Sequence, residues 1–202
     1  MSVIIVLDYI GVLVFSMSGL LAASDKKLDL FGGFIIAFVT ALGGGTLRDL
    51  LLNVDVGWIQ HINYIYIVIL GAVVALIFKK TLKKIRKTIF LFDTIGISIF
   101  TILGVQKALE LDTPLLVAVM FGVITATFGG VIRDILCNEI PLIFRKEIYA
   151  TACVLGGVCY VSLYSCQINE NLNLIISGSV IIGIRTLAVL KKYSLPVLND
   201  KI

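Results

Sequence analysis

Histidine occurs once in this 202-residue chain, as His61, and charged residues make up only 15% of it. One histidine builds neither a His-based metal centre nor a histidine-pair catalytic dyad. The four cysteines, Cys137, Cys153, Cys159 and Cys166, show no CxxC spacing. Most sit in apolar runs and read as small hydrophobes. With so few cysteines, and 3 prolines, neither a disulfide scaffold nor a collagen-like chain fits. There is no P-loop, no GxSxG and no GxGxxG, and no long loop to carry an enzyme site, so no enzyme is expected. A TVGYG-type filter is also absent, so any cation selectivity must arise differently. No catalytic residue, no metal site and no cofactor are assigned.

What is abundant is apolar side chain. Hydrophobic residues reach 59% and the mean hydropathy is +1.06. A soluble domain averages about 45–50% apolar and about 25% charged. A membrane helix needs about 20 predominantly apolar residues. Seven runs qualify, near 3–22, 30–52, 63–78, 88–106, 114–136, 148–166 and 172–190. Long runs, rather than alternating ten-residue segments, exclude a β-barrel. Ala22-Ala23-Ser24 faintly resembles a cleavage site, but no Lys or Arg precedes the first run, so a signal peptide is not favoured.

Basic residues fall on one side of such a bundle. Lys26 and Lys27 follow the first run, and Lys79, Lys80, Lys83, Lys84, Arg86 and Lys87 the third. Arg145 and Lys146 follow the fifth, and Lys191, Lys192 and Lys201 end the chain. The opposite side holds only Lys107. By the positive-inside rule the N-terminus is outside and the C-terminus cytoplasmic. The net charge of +4 then reports topology and needs no nucleic-acid partner. The basic 79–87 run is a topology anchor that also suits lipid headgroups.

The chain repeats itself at an offset of 85. GGGTLRDLLLN at 43–53 falls on FGGVIRDILCN at 128–138. Asp8 falls on Asp93, Gly11 on Gly96, Phe15 on Phe100, Gly19 on Gly104 and Tyr64 on Tyr149. Apolar composition alone would not bring two Arg-Asp pairs into register. Each copy holds three runs, and an odd number inverts the second copy in the membrane. The expected fold is an all-α membrane protein with seven transmembrane helices: two inverted three-helix repeats plus a seventh helix. The divisions are 1–82, 83–168 and 169–202, the last holding the seventh helix and a cytoplasmic tail. Inverted repeats tend to form sites at their interface, which points toward movement of an ion or solute.

The second helix of each copy carries the informative residues. Small residues recur every fourth position at Gly33, Ala37, Ala41 and Gly45, and again at Ala118, Gly122, Ala126 and Gly130. Such stripes let helix backbones approach. Gly43, Gly44 and Gly45, and Gly129 and Gly130, are consecutive, which a packing stripe does not require. They permit bending or unwinding, with freed carbonyls facing a permeating cation, or they serve a tight crossing. Arg48-Asp49 and Arg133-Asp134 follow within the last turns. Thr40, Gly44 and Arg48 share one face, as do Thr125, Gly129 and Arg133, giving two candidate pore-facing stripes. Depth pairs Asp8 with Arg48 and Asp93 with Arg133 as two related ion pairs. The alternative is that each arginine snorkels to headgroups. Arg185, without a repeat counterpart, fits either snorkelling or a pore role.

The GGGTLRDLLL and FGGVIRDILC motifs, the duplicated three-helix unit and the KEIYA segment at 146–150 resemble the bacterial relatives of the trimeric intracellular cation (TRIC) channels. That group is also described as carrying two glycine-transporter domains. The resemblance implies a homotrimer in a bacterial cytoplasmic membrane, in contact with lipid, with one pore per protomer and no soluble partner. It implies that helices two and five kink at Gly43–Gly45 and Gly129–Gly130 and line that pore. The permeant ion would be potassium or another monovalent cation such as sodium. The animal members' KEV motif has no counterpart before the fourth run. Lys146-Glu147-Ile148 precedes the sixth run instead, so that role is not carried over. Two other readings stay open: a secondary transporter for a small zwitterion such as glycine, and a structural or lipid-interacting bundle.

Overall fold

Runs of apolar residues bounded by polar caps become helices. A computed structural model describes residues 3–84 and 88–196, the side chains at 83, 84 and 88 excepted. Of the basic residues named above, Lys83, Lys84, Arg86, Lys87 and Lys201 therefore lie outside the described side chains. The helices are α1 (Val3–Asp25), α2 (Leu30–Leu51), the short α3 (Gly57–Gln60), α4 (Asn63–Lys84), α5 (Thr88–Leu109), α6 (Leu115–Leu136), α7 (Ala150–Ser165) and α8 (Glu170–Lys191). A 3-10 turn at Leu142–Phe144 precedes α7. No extended strand occurs among the described residues; the nearest feature is an isolated bridge between Glu147 and Ser194.

Local chemistry sets the ends. Asp29 caps α2, its carboxylate accepting from the Gly32 amide at 2.7 Å. Asn169 caps α8 by accepting from the Asn171 and Leu172 amides. Beyond the helix ends the chain turns through left-handed residues at Lys27, Asn53, Asp112 and Asn138. These four fall into two pairs 85 residues apart, Lys27 with Asp112 and Asn53 with Asn138. The turns thus repeat with the sequence.

Among the described residues six helices are long and apolar enough to cross a membrane, α1, α2, α4, α5, α6 and α8, and α7 is a shorter apolar helix of 16 residues. The run expected at 148–166 begins only at Ala150, because Pro141 starts the 3-10 turn and Arg145 onward is irregular. At 1.5 Å per residue α7 spans about 24 Å, short of the roughly 30 Å hydrocarbon core.

The core is built across the two halves of the chain. α1 packs on α2, α4 and α5; α5 packs on α6, α7 and α8; α2 packs on α6. Phe15 of α1 meets Phe100 of α5 edge to face at 5.1 Å. The backbone of Gly96 lies under Phe15, and that of Gly11 under Phe100, the same contact exchanged between the halves. Among the candidate spans α5 is the most enclosed and α4 the most exposed. Tyr66, Leu70, Val73, Ile77 and Phe78 stand exposed along α4. On a soluble monomer so large an apolar face would drive association, whereas lipid tolerates it.

Two ends of the bundle can be told apart. At one, Lys26 pairs with Glu139, and the Leu195 amide donates to the Lys146 carbonyl at 2.8 Å. The ends of α1, α6 and α8 meet there. The Lys26 hydrogen bond and charge, helped by Arg145, hold the Glu139 carboxyl below the usual glutamate range. At the other end, Lys107 reaches Asp49 at 3.0 Å, joining the ends of α5 and α2.

Candidate functional site

α2 and α6 cross at Gly44 and Gly129. A Cβ on Gly44 would lie 2.1 Å from the Thr125 carbonyl oxygen, and one on Gly129 would lie 2.2 Å from that of Thr40. The contact is reciprocal, as a two-fold relation requires. Helical hydrogen bonding runs unbroken from Leu30 to Leu51 and from Leu115 to Leu136. The unwinding anticipated at Gly43–Gly45 and Gly129–Gly130 is therefore absent; the missing side chains are used for close approach instead. Gly43 faces Ile132 and Gly130 faces the Tyr149 hydroxyl, 3.2 Å from where a Cβ would stand, while Gly45 has looser surroundings near the Arg48 guanidinium. Thr40 and Thr125 are buried at the same crossing. Their hydroxyls donate back to the Ile36 and Phe121 carbonyls, each at 2.6 Å, rather than facing an open path.

A charged cluster flanks the crossing on each side. In the second half, Arg133 stands 3.3 Å from Asp93, as the depth argument anticipates. It also bonds Ser18 at 3.1 Å and its own neighbour Asp134 at 2.8 Å. A second guanidinium, Arg185 of α8, approaches the other Asp93 oxygen at 3.5 Å. Arg185 is only 1% exposed, so it does not snorkel. It donates to the Ile148 carbonyl and lies against the rings of Phe90 and Tyr149, 4.9 and 4.8 Å from their centroids. Asp134 beside Arg133, and Glu147 at 3.9 Å from Arg185, supply the further negative charge that two guanidiniums on one carboxylate require.

The first half is built differently. Asp8 is half-buried and accepts from the Tyr64 hydroxyl. No salt bridge joins Asp8 to Arg48; Arg48 pairs with Asp49 at 2.7 Å, and Lys107 shares that carboxylate. The cause lies in the partners. Tyr64 satisfies Asp8 locally, whereas its counterpart Tyr149 leaves its hydroxyl unbonded and presents its ring to Arg185. The extra helix thus replaces a tyrosine–carboxylate bond in one half with an ion pair.

Asp49 and Asp134 have a further duty. Each gives one oxygen to its preceding arginine and the other to a backbone amide eight residues on, Gly57 and Leu142, both at 3.1 Å. Those amides start the short turns after α2 and α6, so the Arg-Asp motif ties each helix end to the turn behind it.

Beside the second cluster a cavity of about 780 Å³ opens toward the Lys26 end. Asp93, Arg185 and Phe90 form part of its wall, with Lys146, Glu147 and Lys192 nearby. Sequence reasoning found no partner for Arg185 and no role for the two tyrosines. Their offset of 85 beside the two aspartates was the available signal for Tyr64 and Tyr149.

Together these features define a multi-pass, all-helical membrane protein with a buried charge cluster on one side of one helix crossing and a partly buried one on the other. The chain belongs to the family of bacterial TRIC-channel relatives whose model is described as "Glycine transporter", which matches residues 5–80 and again 90–165. A UPF0126 membrane protein of Vibrio cholerae is 39% identical over 80% of this chain and 68% of its own length. The UPF0126 inner membrane protein YadS of Escherichia coli K12 is 38% identical over 78% of this chain and 77% of its own. Among solved structures, one concerning conductance through TRIC cation channels superposes with a TM-score of 0.89 at 33% identity, covering 100% of both chains. The TRIC orthologue from Rhodobacter sphaeroides gives 0.91 at 33% identity, covering 95% of this chain and 100% of that one.

Proposed function

We propose that this protein is a cation channel of the cytoplasmic membrane, working as a homotrimer with one path per protomer for potassium or sodium. The observation that carries this reading is the likeness to a TRIC cation channel over the whole of both chains, at 33% identity. The geometry supports it physically. Two repeats, 1–82 and 83–168, exchange contacts about the α2–α6 crossing, with α8 added to the second. α7 with its lead-in completes seven spans, and the basic residues orient the N-terminus outside. The path passes the crossing where Gly44 and Gly129 meet the facing carbonyls, with Asp8, Arg48 and Asp49 at one end and Asp93, Arg133 and Asp134 at the other. Opening requires α2 and α6 to part there, and the paired glycines make a tight closed contact available. The charged groups set the local field on each side.

Recording from purified protein in planar bilayers with potassium, alongside radiolabelled glycine uptake into liposomes, tests this. Discrete unitary currents without saturable uptake are expected. Gradient-coupled, saturable glycine uptake with no unitary current overturns the channel reading in favour of a transporter.

A further inference from the structure

The duplicated unit supplies the same charges twice. Asp8, Asp49 and Arg48 in the first copy correspond to Asp93, Asp134 and Arg133 in the second. Two carboxylates and one guanidinium leave each copy short of one positive charge. In both halves that charge comes from outside the duplicated set. Lys107, which falls on Ala22 at the offset of 85, reaches Asp49 at 3.0 Å. Arg185, on the added helix α8, reaches Asp93 at 3.5 Å. The repeat thus builds two sites that each lack a cation, and a different basic side chain fills each one.

Arg185 is loosely seated for a buried guanidinium. Arg133 bonds Asp93, Asp134 and Ser18 at 3.3, 2.8 and 3.1 Å. Arg185 has Asp93 at 3.5 Å and the Ile148 carbonyl at 3.2 Å, and its Nε has no partner although the residue is only 1% exposed. A buried donor left unpaired is unfavourable. A second carboxylate, that of Glu147, stands 3.9 Å from its Nη1 and is half-exposed. Asp93, Arg185 and Glu147 all line the cavity of about 780 Å³, which leaves the guanidinium room to move from one carboxylate to the other.

We propose that Arg185 is a tethered counter-ion that takes the place of one permeating monovalent cation at Asp93, and that the inner half of the path conducts when Arg185 leaves Asp93 for Glu147. The proposal rests on the conduction reading and names a residue that regulates it. Charge fixes the stoichiometry. With Arg185 withdrawn, Asp93 and Asp134 share only Arg133, and one monovalent cation restores the balance. A buried carboxylate without compensation is costly, so guanidinium and permeant ion fill the place in turn. Glu147 lowers the cost of the exchange, because one ion pair forms as another breaks. Both positions of Arg185 lie on the cavity wall, where an ion arriving from the Lys26 end meets Asp93.

Bilayer recording of the full chain in potassium chloride tests it. Arg185→Gln should raise open probability about threefold or more, and Arg185→Lys, which keeps the charge, should stay close to the parent. Glu147→Gln, which removes the alternative partner, should lower open probability about threefold or more. Glu147→Gln added to Arg185→Gln should change nothing further, because Glu147 acts only through Arg185. An arginine with a merely structural role would give single variants that shift the same way and a pair that adds. Heat unfolding in dodecyl maltoside supplies a readout that needs no current. In Arg185→Gln, potassium but not N-methylglucamine should raise the unfolding temperature saturably, with a midpoint about tenfold or more below the parent's. Adding Asp93→Asn should abolish that effect. If no protein passes current, the conduction reading fails and the heat titration still decides the role of Arg185. Parent-like currents in Arg185→Gln, a Glu147→Gln effect that persists without Arg185, or no potassium-specific stabilisation of Arg185→Gln each overturns the proposal. Should Arg185→Gln fail to fold, Glu147→Gln, at a half-exposed side chain, decides by the direction of its change.

Discussion

Adding one methyl group at Gly44 tests the crossing directly. In Gly44→Ala the new Cβ starts 2.1 Å from the Thr125 carbonyl oxygen, where ordinary contact begins near 3.4 Å. The obstacle is backbone on the facing helix, so no rotamer change relieves it. α2 and α6 must separate by about 1 Å, and a gap of that size forfeits a quarter to a half of the dispersion energy of the atoms lining it. Overpacking of this kind costs about 1–3 kcal/mol, against roughly 0.5–1 kcal/mol gained from alanine's better helix propensity. The net loss is therefore on the order of 1–2 kcal/mol. Gly45→Ala is the control one residue away. Its nearest neighbour is the Arg48 guanidinium at 3.7 Å, so only the propensity gain remains. Gly129→Ala, facing Thr40 at 2.2 Å, should match Gly44→Ala, and the double variant should cost less than the sum, because one separation relieves both clashes. Reversible unfolding in mixed SDS micelles measures all four. A Gly44→Ala protein as stable as the parent, or a Gly45→Ala protein equally destabilised, refutes the close-crossing explanation.

Other expectations follow from the clusters and loops. Asp93→Asn takes away the carboxylate that Arg133 and Arg185 share, leaving Arg133 with Asp134 and Arg185 with the longer 3.9 Å contact to Glu147, and should cost about 3 kcal/mol, whereas Asp8→Asn, which can still accept from Tyr64, should cost clearly less; the same unfolding assay compares them. A double-mutant cycle on Asp93 and Arg185 should show a coupling of about 0.5–3 kcal/mol, and additivity would mean the 3.5 Å contact carries no energy. Because the Glu139 carboxyl titrates low, its contribution to stability is present above the ordinary glutamate range and lost as pH falls through the folded-state value. Stability profiles of the parent and Glu139→Gln should converge at acid pH, and a constant gap would contradict this. In a cysteine-free background, a cysteine at position 26 should react with impermeant reagent only from the cytoplasmic side and one at position 61 only from outside; the opposite pattern reverses the topology.

Much of the bundle is legible in the sequence alone, because membrane helices advertise themselves by length and apolarity. The repeat is legible because polar residues in apolar helices are few and their register stands out. The Asp93–Arg133 contact follows from depth alone. What the sequence hides depends on partners outside the repeat logic. Arg185 has no counterpart 85 residues earlier, so symmetry offers it no neighbour, and its place on Asp93 arises from how α8 docks on α5. The expected Asp8–Arg48 pairing fails because Tyr64 supplies a nearer donor. Consecutive glycines permit both an unwound helix and a close crossing. Only the facing carbonyls of Thr40 and Thr125 distinguish them.

The reversal potential of unitary currents across an asymmetric potassium chloride gradient tests the central claim most directly. A cation channel predicts step-like currents whose reversal lies toward the potassium equilibrium potential in the unaltered protein. Reversal toward the chloride potential, or a folded and reconstituted protein that passes no unitary current, contradicts it.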